Sequence, residues 1–224
     1  MTAIGCLNEK PLHAALKEWY RQDGDEVELP VNGFVVDLVR DGLLIEIQTR
    51  GFSSMRAKFD GLLDSYSMRL VHPVAAQKWI VKLDANGLEV SRRRSPKRGI
   101  AADVCAELVS FPSLLSHPNF TLEIALVEEE EVLRPDDSKG WRRRGFALEE
   151  RRLVAVVEMV ALASPEDLLR LLPHGLPDPF TTADLAERLG RSRHFAQEVA
   201  YCLRVSEAVQ TAGRGKRGTL YARP

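Results

Sequence analysis

Apolar residues recur at helical spacing near the start of the chain and at strand-like spacing directly afterwards. Over residues 9–22 they lie three or four positions apart, at Leu12, Ala15, Leu16 and Trp19, which predicts a helix with one buried face. Three segments rich in apolar and β-branched residues follow, and each predicts a strand: 27–31, 34–40 and 43–49. Asp41-Gly42 between the last two is typical of a two-residue hairpin turn.

The next hundred residues predict both helices and strands. Ser53 or Ser54 can cap a helix whose buried side carries Met55, Phe59, Leu62, Leu63 and Tyr66. Further strands are predicted at 68–74, 79–83 and 120–127, and helices at 101–109 and 146–162. The segment from Arg92 to Arg98 is predicted to be a basic loop.

A stretch dense in Pro and Gly, from Leu172 to Pro179, is the best candidate for a domain boundary. Two helices, at 183–189 and 193–203, and a hairpin of 208–211 with 220–223 are predicted after it. We therefore expect a first domain over 1–135, a helical connector and Pro-rich linker over 136–179, and a second domain over 180–224.

The composition excludes several classes of protein. The chain is 45% hydrophobic and 28% charged, which is typical of a globular domain. No apolar run approaches the roughly 20 residues that cross a bilayer, and the first residues lack the pattern of a signal peptide. Cys6, Cys105 and Cys202 are too widely separated for a cysteine zinc site. We expect a cytoplasmic protein with no membrane partner.

The net charge of −1 conceals a segregated distribution. Arg92, Arg93, Arg94, Lys97 and Arg98 crowd one segment. From Arg188 to the end, eight basic residues face two acidic ones, which gives +6. A uniformly basic nucleic-acid binder is excluded, whereas a locally basic one is not.

Two carboxylates face each other in the predicted hairpin. If Asp41-Gly42 is the turn, Asp37 lies opposite Glu46 with Cβ atoms about 4.5–5.5 Å apart. Such a pair is costly unless a cation offsets the repulsion, and Mg²⁺ prefers oxygen ligands. Glu9 precedes Leu12 by about one turn and points to the same side of the first helix. Alternatively, Asp37 is an exposed strand residue and Glu46 pairs with Arg40 or Arg50.

The order helix, hairpin with Asp37 and Glu46-Ile47-Gln48, then helix resembles the PD-(D/E)xK nuclease superfamily over residues 9–85. The resemblance implies an α/β (α+β) protein with a restriction-endonuclease-like core, a mixed central sheet flanked by helices. It implies that Asp37, Glu46 and the Ile47 carbonyl bind Mg²⁺ (or Mn²⁺) and that Glu9 is the helix acid.

Gln48 occupies the position at which this superfamily usually carries a catalytic lysine. Lys58 on the following helix could supply a displaced ammonium group, with Arg56 as its competitor. The reaction implied is metal-assisted hydrolysis of phosphodiester bonds in DNA. Many such nucleases act as dimers, so a homodimer is among the partners that the resemblance implies.

Residues 180–224 resemble a winged helix-turn-helix domain, with Thr181 or Thr182 as a helix cap and a turn at Gly190. The inward side of the second helix carries Phe195, Val199, Cys202 and Leu203. The resemblance implies DNA contacts from the helix and from the wing tip, made by Arg191, Ser192, Arg193, His194, Gln197, Lys216 and Arg217. Winged helices also mediate protein contacts. Arg92, Arg93 and Arg94 lie either in a solvated loop or in a loop of the nuclease domain that binds phosphate groups.

These features favour a Mg²⁺-dependent DNA endonuclease that a winged helix targets to DNA. The alternative is a non-catalytic DNA-binding regulator or defence-associated protein with a degenerate nuclease-like domain. A third hypothesis is an assembly adaptor in which neither domain touches nucleic acid.

Overall fold

Three antiparallel strands open the central sheet: β1 (Glu26–Val31), β2 (Phe34–Arg40) and β3 (Leu43–Ile47). The computed structural model describes residues 10–136 and 145–224. The predicted hairpin register is confirmed, since Leu38 pairs with Ile45 and Arg40 with Leu43. Asp41 and Gly42 have φ of 49° and 82°, as a tight turn between twisted strands requires.

Two long strands extend the sheet. β4 (Met68–Leu83) runs parallel both to β3 and to β6 (Phe120–Pro135). The prediction of two separate strands within β4 was wrong, because an irregularity between Ala75 and Gln77 bends a single strand without ending it. The short strand β5 (Glu89–Arg94) pairs with the far end of β4.

β7 (Phe146–Leu162) corrects the helix predicted at 146–162. It pairs antiparallel with β6, and the register skips Glu149, Val154 and Val157. Such bulges shift the alternation of apolar residues, which explains why the segment lacks the regular period of a strand. They also discourage an edge strand from pairing with another chain.

The sheet thus has the order β1-β2-β3-β4-β6-β7, with β5 attached to β4. It continues across the boundary predicted at residue 135, and the helical connector predicted after it was wrong. The boundaries at 135 and 179 stay predictions.

Helices cover both faces of the sheet. α1 (Pro11–Tyr20) packs Leu16 against one face and buries Leu12, as predicted, whereas Trp19 is 50% exposed and not buried. α2 (Arg56–Leu62) and α3 (Cys105–Leu108) contribute to the larger core on the other face. The expected serine cap of α2 was wrong, because α2 continues from a 3-10 turn over Phe52–Met55 and no side chain of the described residues caps either segment.

The last part of the chain forms two helices and a hairpin: α4 (Thr182–Leu189), α5 (Arg193–Val205), β8 (Gln210–Gly215) and β9 (Gly218–Ala222). The cap at Thr181 is confirmed, since its Oγ1 accepts a hydrogen bond from the backbone N–H of Asp184. The predicted loop over 213–218 shortens to a turn at Lys216-Arg217, because Gly215 pairs with Gly218.

This C-terminal unit shares its hydrophobic core with the sheet. Phe180, Val199 and Leu203 belong to the same buried cluster as Val104 and Leu108. Sγ of Cys202 on α5 lies 3.6 Å from the carbonyl oxygen of Cys105 on α3. Among the described residues, no helix is both long and apolar enough to cross a membrane.

Candidate active site

Glu46 lies on β3 with apolar neighbours on both sides in the sequence and is only 5% exposed. Its Oε1 accepts a hydrogen bond of 2.6 Å from Nζ of Lys58 on α2. The same Nζ donates to the Val35 carbonyl at 2.7 Å, which fixes the ammonium between α2 and the sheet. Burial and repulsion from Asp37 raise the pKa of Glu46 from 4.5 to about 7, against the attraction of Lys58. The carboxyl group therefore titrates close to neutral pH.

Asp37 lies where the backbone ladder between β2 and β3 ends, one residue beyond the pair Leu38–Ile45. Its Oδ2 accepts a hydrogen bond of 2.8 Å from the Ile47 N–H and lies 3.3 Å from Nε2 of His13 on α1. Burial raises the pKa of Asp37, but the hydrogen bond and charge of His13, with the Ile47 N–H, outweigh it and lower the pKa. The Asp37 side chain thus accepts the hydrogen bond of the Ile47 N–H at the end of the hairpin, where a strand would otherwise offer a backbone carbonyl.

The two carboxyl groups are near each other but are not the simple opposed pair that the hairpin register predicts. The backbone N–H of Asp37 hydrogen-bonds to Glu46, while the Asp37 side chain binds the N–H of Ile47. Their environments shift the two pKa values in opposite directions. One group is therefore anionic over most of the pH range, while the other becomes anionic near pH 7 or when a cation arrives.

Of the two candidate cations on α2, only Lys58 reaches the carboxyl groups. The Arg56 guanidinium lies 4.6 Å from the centre of the Phe111 ring. Arg40, an alternative partner for Glu46, binds Asp25 instead, with Nη2 2.8 Å from Oδ2.

Gln48 is oriented away from the carboxyl pair. Its side-chain amide donates to the Arg50 carbonyl at 2.8 Å and to Oγ of Ser54 at 3.2 Å. It therefore holds the loop that follows β3. Ile47 meets Asp37 through its N–H rather than through its carbonyl, and Glu9 lies outside the described residues.

His13 is a site residue that the sequence reasoning missed. The five histidines of the chain lack the spacing of zinc ligands, so that pattern gives no reason to select His13. A usable signal was the position of His13 beside Leu12 and one turn before Lys17, whose charge also lowers the pKa of Asp37. α1 thus carries two basic groups to the acidic end of the hairpin.

The Asp37 and Glu46 carboxylates suit a cation whose remaining ligands come from water or from a bound molecule. Within residues 10–136 and 145–224, no cluster of three or more His, Cys, Asp or Glu side chains could enclose a metal ion. Asp37 and Glu46 nevertheless offer carboxylate oxygens. Mg²⁺ is commonly held by one or two carboxylates while water and substrate phosphates complete its shell. The pair therefore fits Mg²⁺ bound together with a phosphate.

A cleft of about 510 Å³ lies along β4, where His72, Val74 and Lys78 are among the residues that line it. β3 pairs with β4 as far as Val71, and β5 pairs with the same edge of β4 only from Trp79 onwards. Residues 95–99 cross the gap between them, with the Gly99 N–H donating to the Ala75 carbonyl at 2.8 Å. A Cβ at residue 99 would lie 2.6 Å from that oxygen, so only glycine permits the approach. We call this space the β4 cleft.

The arginines expected in a basic loop form strand β5 instead. Arg92, Arg93 and Arg94 are all exposed on it; since successive side chains of a strand point to opposite faces, neither face of β5 is covered there. Arg92 pairs with Glu130 at 2.7 Å and its guanidinium lies 4.9 Å from the centre of the Trp79 ring. Arg94 hydrogen-bonds to Gln77.

Residues 10–163 match the protein family described as a domain of unknown function, DUF8091. The chain belongs to this family. The part that matches DUF8091 contains α1, the whole central sheet and the Asp37–Glu46–Lys58 cluster. An uncharacterized protein from Treponema pallidum (strain Nichols) is 30% identical over 215 residues, which span 95% of this chain and 85% of that protein. No solved structure matches the chain.

The C-terminal unit follows the DUF8091 region. On α5, Arg193, His194 and Gln197, which were predicted to contact DNA, are all exposed, and so is Tyr201. Ser192 caps the helix by accepting from the Phe195 N–H at 3.2 Å.

All three arginines of this unit that were predicted to contact DNA make contacts within the protein, and Arg193 does so through a hydrogen bond of 2.8 Å to the Arg217 carbonyl. Arg191 is partly buried and binds Asp103 of the DUF8091 region at 3.2 Å. Arg217 pairs with Asp184 at 2.7 Å and with Glu187 at 3.3 Å. Lys216, beside it in the turn, is exposed. The surface open to a partner is therefore narrower than the predicted one.

Proposed function

We propose that this protein is a Mg²⁺- or Mn²⁺-dependent DNA endonuclease of the PD-(D/E)xK type, with a restriction-endonuclease-like core and a C-terminal winged helix. The observation that carries the proposal is the hydrogen bond from Lys58 to the buried Glu46 carboxylate beside Asp37. An acidic pair with an adjacent ammonium is the constellation that metal-assisted phosphodiester hydrolysis needs.

Asp37 and Glu46 would hold the metal ion, which when bound lowers the pKa of a water molecule and neutralises charge on the phosphate. Lys58 stabilises the ionised form of Glu46, and its ammonium lies where it can stabilise negative charge on a scissile phosphate. His13 and the Ile47 N–H orient the Asp37 carboxylate. Lys58 would thus supply the ammonium group that the motif lysine supplies in the superfamily, since Gln48 occupies the lysine position here.

The arrangement of elements supports the nuclease assignment. α1, an antiparallel β1-β2-β3 unit, α2 and a parallel β4 follow one another, which is the order on which the resemblance rests. The exposed row on α5 supports a DNA-binding role for the C-terminal unit, because a helix in the major groove presents such side chains to bases and phosphates. The exposed Lys216 would contact the backbone.

Nicking of supercoiled plasmid with Mg²⁺ or Mn²⁺ tests the proposal. Asp37→Asn and Glu46→Gln keep the side-chain shapes and should each abolish cleavage, and Lys58→Met should reduce it by at least about 100-fold. Asp25→Asn is the matched control, because Asp25 precedes β1 and its carboxylate pairs with Arg40 rather than with a residue of the candidate site. Cleavage that survives both Asp37→Asn and Glu46→Gln would show that the site is wrongly assigned.

Gln48 favours a second candidate, a DNA-binding regulator with a non-catalytic nuclease-like domain. The glutamine at the lysine position binds the loop after β3 and contributes nothing to the carboxyl pair. This candidate predicts duplex binding that weakens with salt and no cleavage with either metal. Loss of binding in Arg193→Ala, with no nicking by the unaltered protein, would favour the regulator.

A further inference from the structure

We propose that a single DNA duplex lies across both α5 and the far part of the central sheet, where a row of exposed basic side chains binds its phosphate backbone. Such binding extends the DNA contacts of the proposed function, on which it rests, and it requires no cleavage. We call this row the basic face. Its members are all exposed, and they are Arg92, Arg94, Lys97 and Arg98.

α5 packs on the face of the sheet to which the even-numbered residues of β6 point. Leu122 of β6 belongs to the same buried cluster as Leu203 of α5. Each of residues 120–133 of β6 pairs in turn with β4, so the alternation of their side chains is unbroken. Glu128 and Glu130 therefore point to the face that α5 covers nearer the core.

Arg92 and Arg94 of β5 lie on this same face. Arg94 pairs with Trp79, which in turn pairs with Glu130. Because directly paired residues of neighbouring strands point to one face, Arg94 is on the side of Glu130. The contact of Arg92 agrees with this, since its Nη2 lies 2.7 Å from Oε1 of Glu130. Arg93, between the two, points to the opposite face.

The segment after β5 connects this row to α5. Lys97 and Arg191 line one cavity of about 390 Å³. The Arg191 guanidinium, just before α5, donates to the Arg98 carbonyl and joins the segment to the C-terminal unit. Nη1 of Arg98 lies 3.4 Å from Oε1 of Gln77, to which Arg94 also hydrogen-bonds. The basic side chains thus form a continuous row from α5 to β5.

The basic face keeps most of its positive charge. Arg92 is neutralised by its ion pair, whereas Arg94 and Arg98 contact the neutral amide of Gln77. With Lys97, three exposed cations have no ion pair among the described residues. A surface of this kind attracts a polyanion, because each phosphate that it neutralises releases a condensed counterion.

The spacing of the row favours a DNA backbone over an acidic protein. Side chains at positions i and i+2 of a strand, such as Arg92 and Arg94, are about 6.6 Å apart. Two base-pair steps along one DNA strand span about 6.8 Å. A duplex that lies along β5 would therefore present phosphates at the repeat of the row, while the exposed Arg193 of α5 meets the same duplex in its groove.

The basic face is separate from the candidate active site. Leu70 pairs with Glu46, whereas Trp79, nine residues further along β4, pairs with Arg94. At about 3.3 Å per residue the two positions are roughly 25–30 Å apart. The row itself, from Lys97 to Arg92, spans about 17 Å, or about five base pairs. A duplex must extend beyond α5 by this length to fill the basic face.

Fluorescence anisotropy of the full-length protein with a labelled duplex of about 20 base pairs, at several salt concentrations, tests the proposal. Arg94→Gln and Lys97→Ala should each reduce the slope of log affinity against log salt by about 0.9, which weakens binding by about eightfold at about 0.1 M salt. Arg93→Gln is the matched control, because it removes an exposed arginine of the same strand from the opposite face. It should reduce the slope by less than half as much.

A second duplex of about 10 base pairs measures how far the contact extends. The unaltered protein should bind the longer duplex more tightly than the shorter one, and the double variant with Arg94→Gln and Lys97→Ala should lose most of that gain. Duplex affinity that both substitutions leave unchanged, or that Arg93→Gln lowers equally, would overturn the proposal. Equal competition by polyglutamate at the same charge concentration would also overturn it and would assign the basic face to acidic proteins.

Two further comparisons separate this proposal from the proposed function. Binding that depends on Arg94 and Lys97, without plasmid nicking, would uphold the basic face and reject the nuclease. Nicking with duplex binding unaffected by either substitution would do the reverse. Binding that Arg94→Gln weakens and Arg193→Ala leaves unchanged would place the duplex on the sheet alone and overturn the shared surface. Absence of any duplex binding at low salt would overturn it as well.

Discussion

Nζ of Lys58 lies 2.6 Å from Oε1 of Glu46 and joins α2 to β3 through a largely buried ion pair. The contact brings an ammonium to the carboxyl pair although Gln48 occupies the position where the motif has lysine. Because Nζ also donates to the Val35 carbonyl, the ammonium is held from two sides. The chemistry of the candidate site therefore depends on a residue of the following helix rather than on the strand that carries the motif.

The first prediction concerns the ionisation of Glu46, whose pKa is raised to about 7 by burial and by Asp37. Lys58→Met should raise this pKa further, since an attractive charge is lost, and Asp37→Asn should lower it, since a repulsive charge is lost. Added Mg²⁺ should also lower it. The carboxyl ¹³C chemical shift of Glu46 followed against pH measures all three. Shifts of the same sign in the two variants would contradict the assigned environment.

The same group makes stability depend on pH. Between its ordinary value of 4.5 and the raised value of about 7, the folded protein keeps a proton that the unfolded chain has released. The contribution of Glu46 to the free energy of unfolding is therefore fully present below pH 4.5 and falls as the pH rises to 7. Urea unfolding of the unaltered protein and of Glu46→Gln at pH 5, 6, 7 and 8 measures it. The difference between them should shrink or reverse with rising pH, and a constant difference would contradict the prediction.

Gly99 is predicted to be required where residues 95–99 cross β4. In Gly99→Ala the new Cβ would meet the Ala75 carbonyl oxygen at 2.6 Å, so the crossing segment must move. We expect a loss of about 1–3 kcal/mol in the free energy of unfolding. Gly215→Ala is the control, since its Cβ would meet only the Leu220 side chain, at 3.6 Å, and should change stability by no more than about 0.5 kcal/mol. Equal effects would rule out a close approach at Gly99.

The C-terminal helices are predicted to unfold together with the sheet. Leu203 on α5 is 1% exposed and belongs to the core that also contains Val104 and Leu108. Leu203→Ala should lower the free energy of unfolding by about 2–5 kcal/mol. All three tryptophans, Trp19, Trp79 and Trp141, precede the C-terminal unit, so their fluorescence reports on the rest of the chain. A tryptophan transition unchanged by Leu203→Ala would show two independent folding units.

Lys216 and Arg217 are adjacent in the turn between β8 and β9 but should contribute unequally to DNA binding. Arg217 is held by Asp184 and Glu187, whereas Lys216 is exposed. Lys216→Ala should therefore reduce the slope of log affinity against log salt by about 0.9, and Arg217→Ala by less than half of that. Fluorescence anisotropy of a labelled duplex at several salt concentrations provides the slopes. A larger effect of Arg217→Ala would mean that its ion pairs break on binding.

Local patterns predicted several elements of the chain. The Asp41-Gly42 turn determined the register of β2 and β3, because a two-residue turn leaves one way to align the strands. The spacing of Leu12 and Leu16 located α1, and Thr181 located the start of α4, because capping is a contact between near neighbours. These features depend on residues a few positions apart.

The strand at 146–162, which pairs with the strand at 120–135, shows where local patterns fail. Their pairing joins residues as far apart as Leu122 and Leu162, and the bulges in β7 remove the alternation that identifies a strand. The pairing energy comes from the neighbouring strand, so nothing within residues 146–162 distinguishes this strand from a helix. The same dependence on distant partners explains why two predicted strands merge into β4.

In the candidate site, too, some features follow from the sequence and others only from the tertiary structure. The sequence by itself determined that Asp37 and Glu46 lie near each other at the end of a hairpin, and it named Lys58 beside Arg56 as a candidate cation. Only the tertiary structure decided that Lys58 binds Glu46, that Gln48 binds the loop after β3, and that His13 reaches Asp37. It also decided that the β4 cleft exists, since the cleft arises where β3 and β5 leave one edge of β4 unpaired. The physical reason is that side-chain orientation and burial depend on how helices pack on the sheet, and packing joins residues that sequence spacing does not relate.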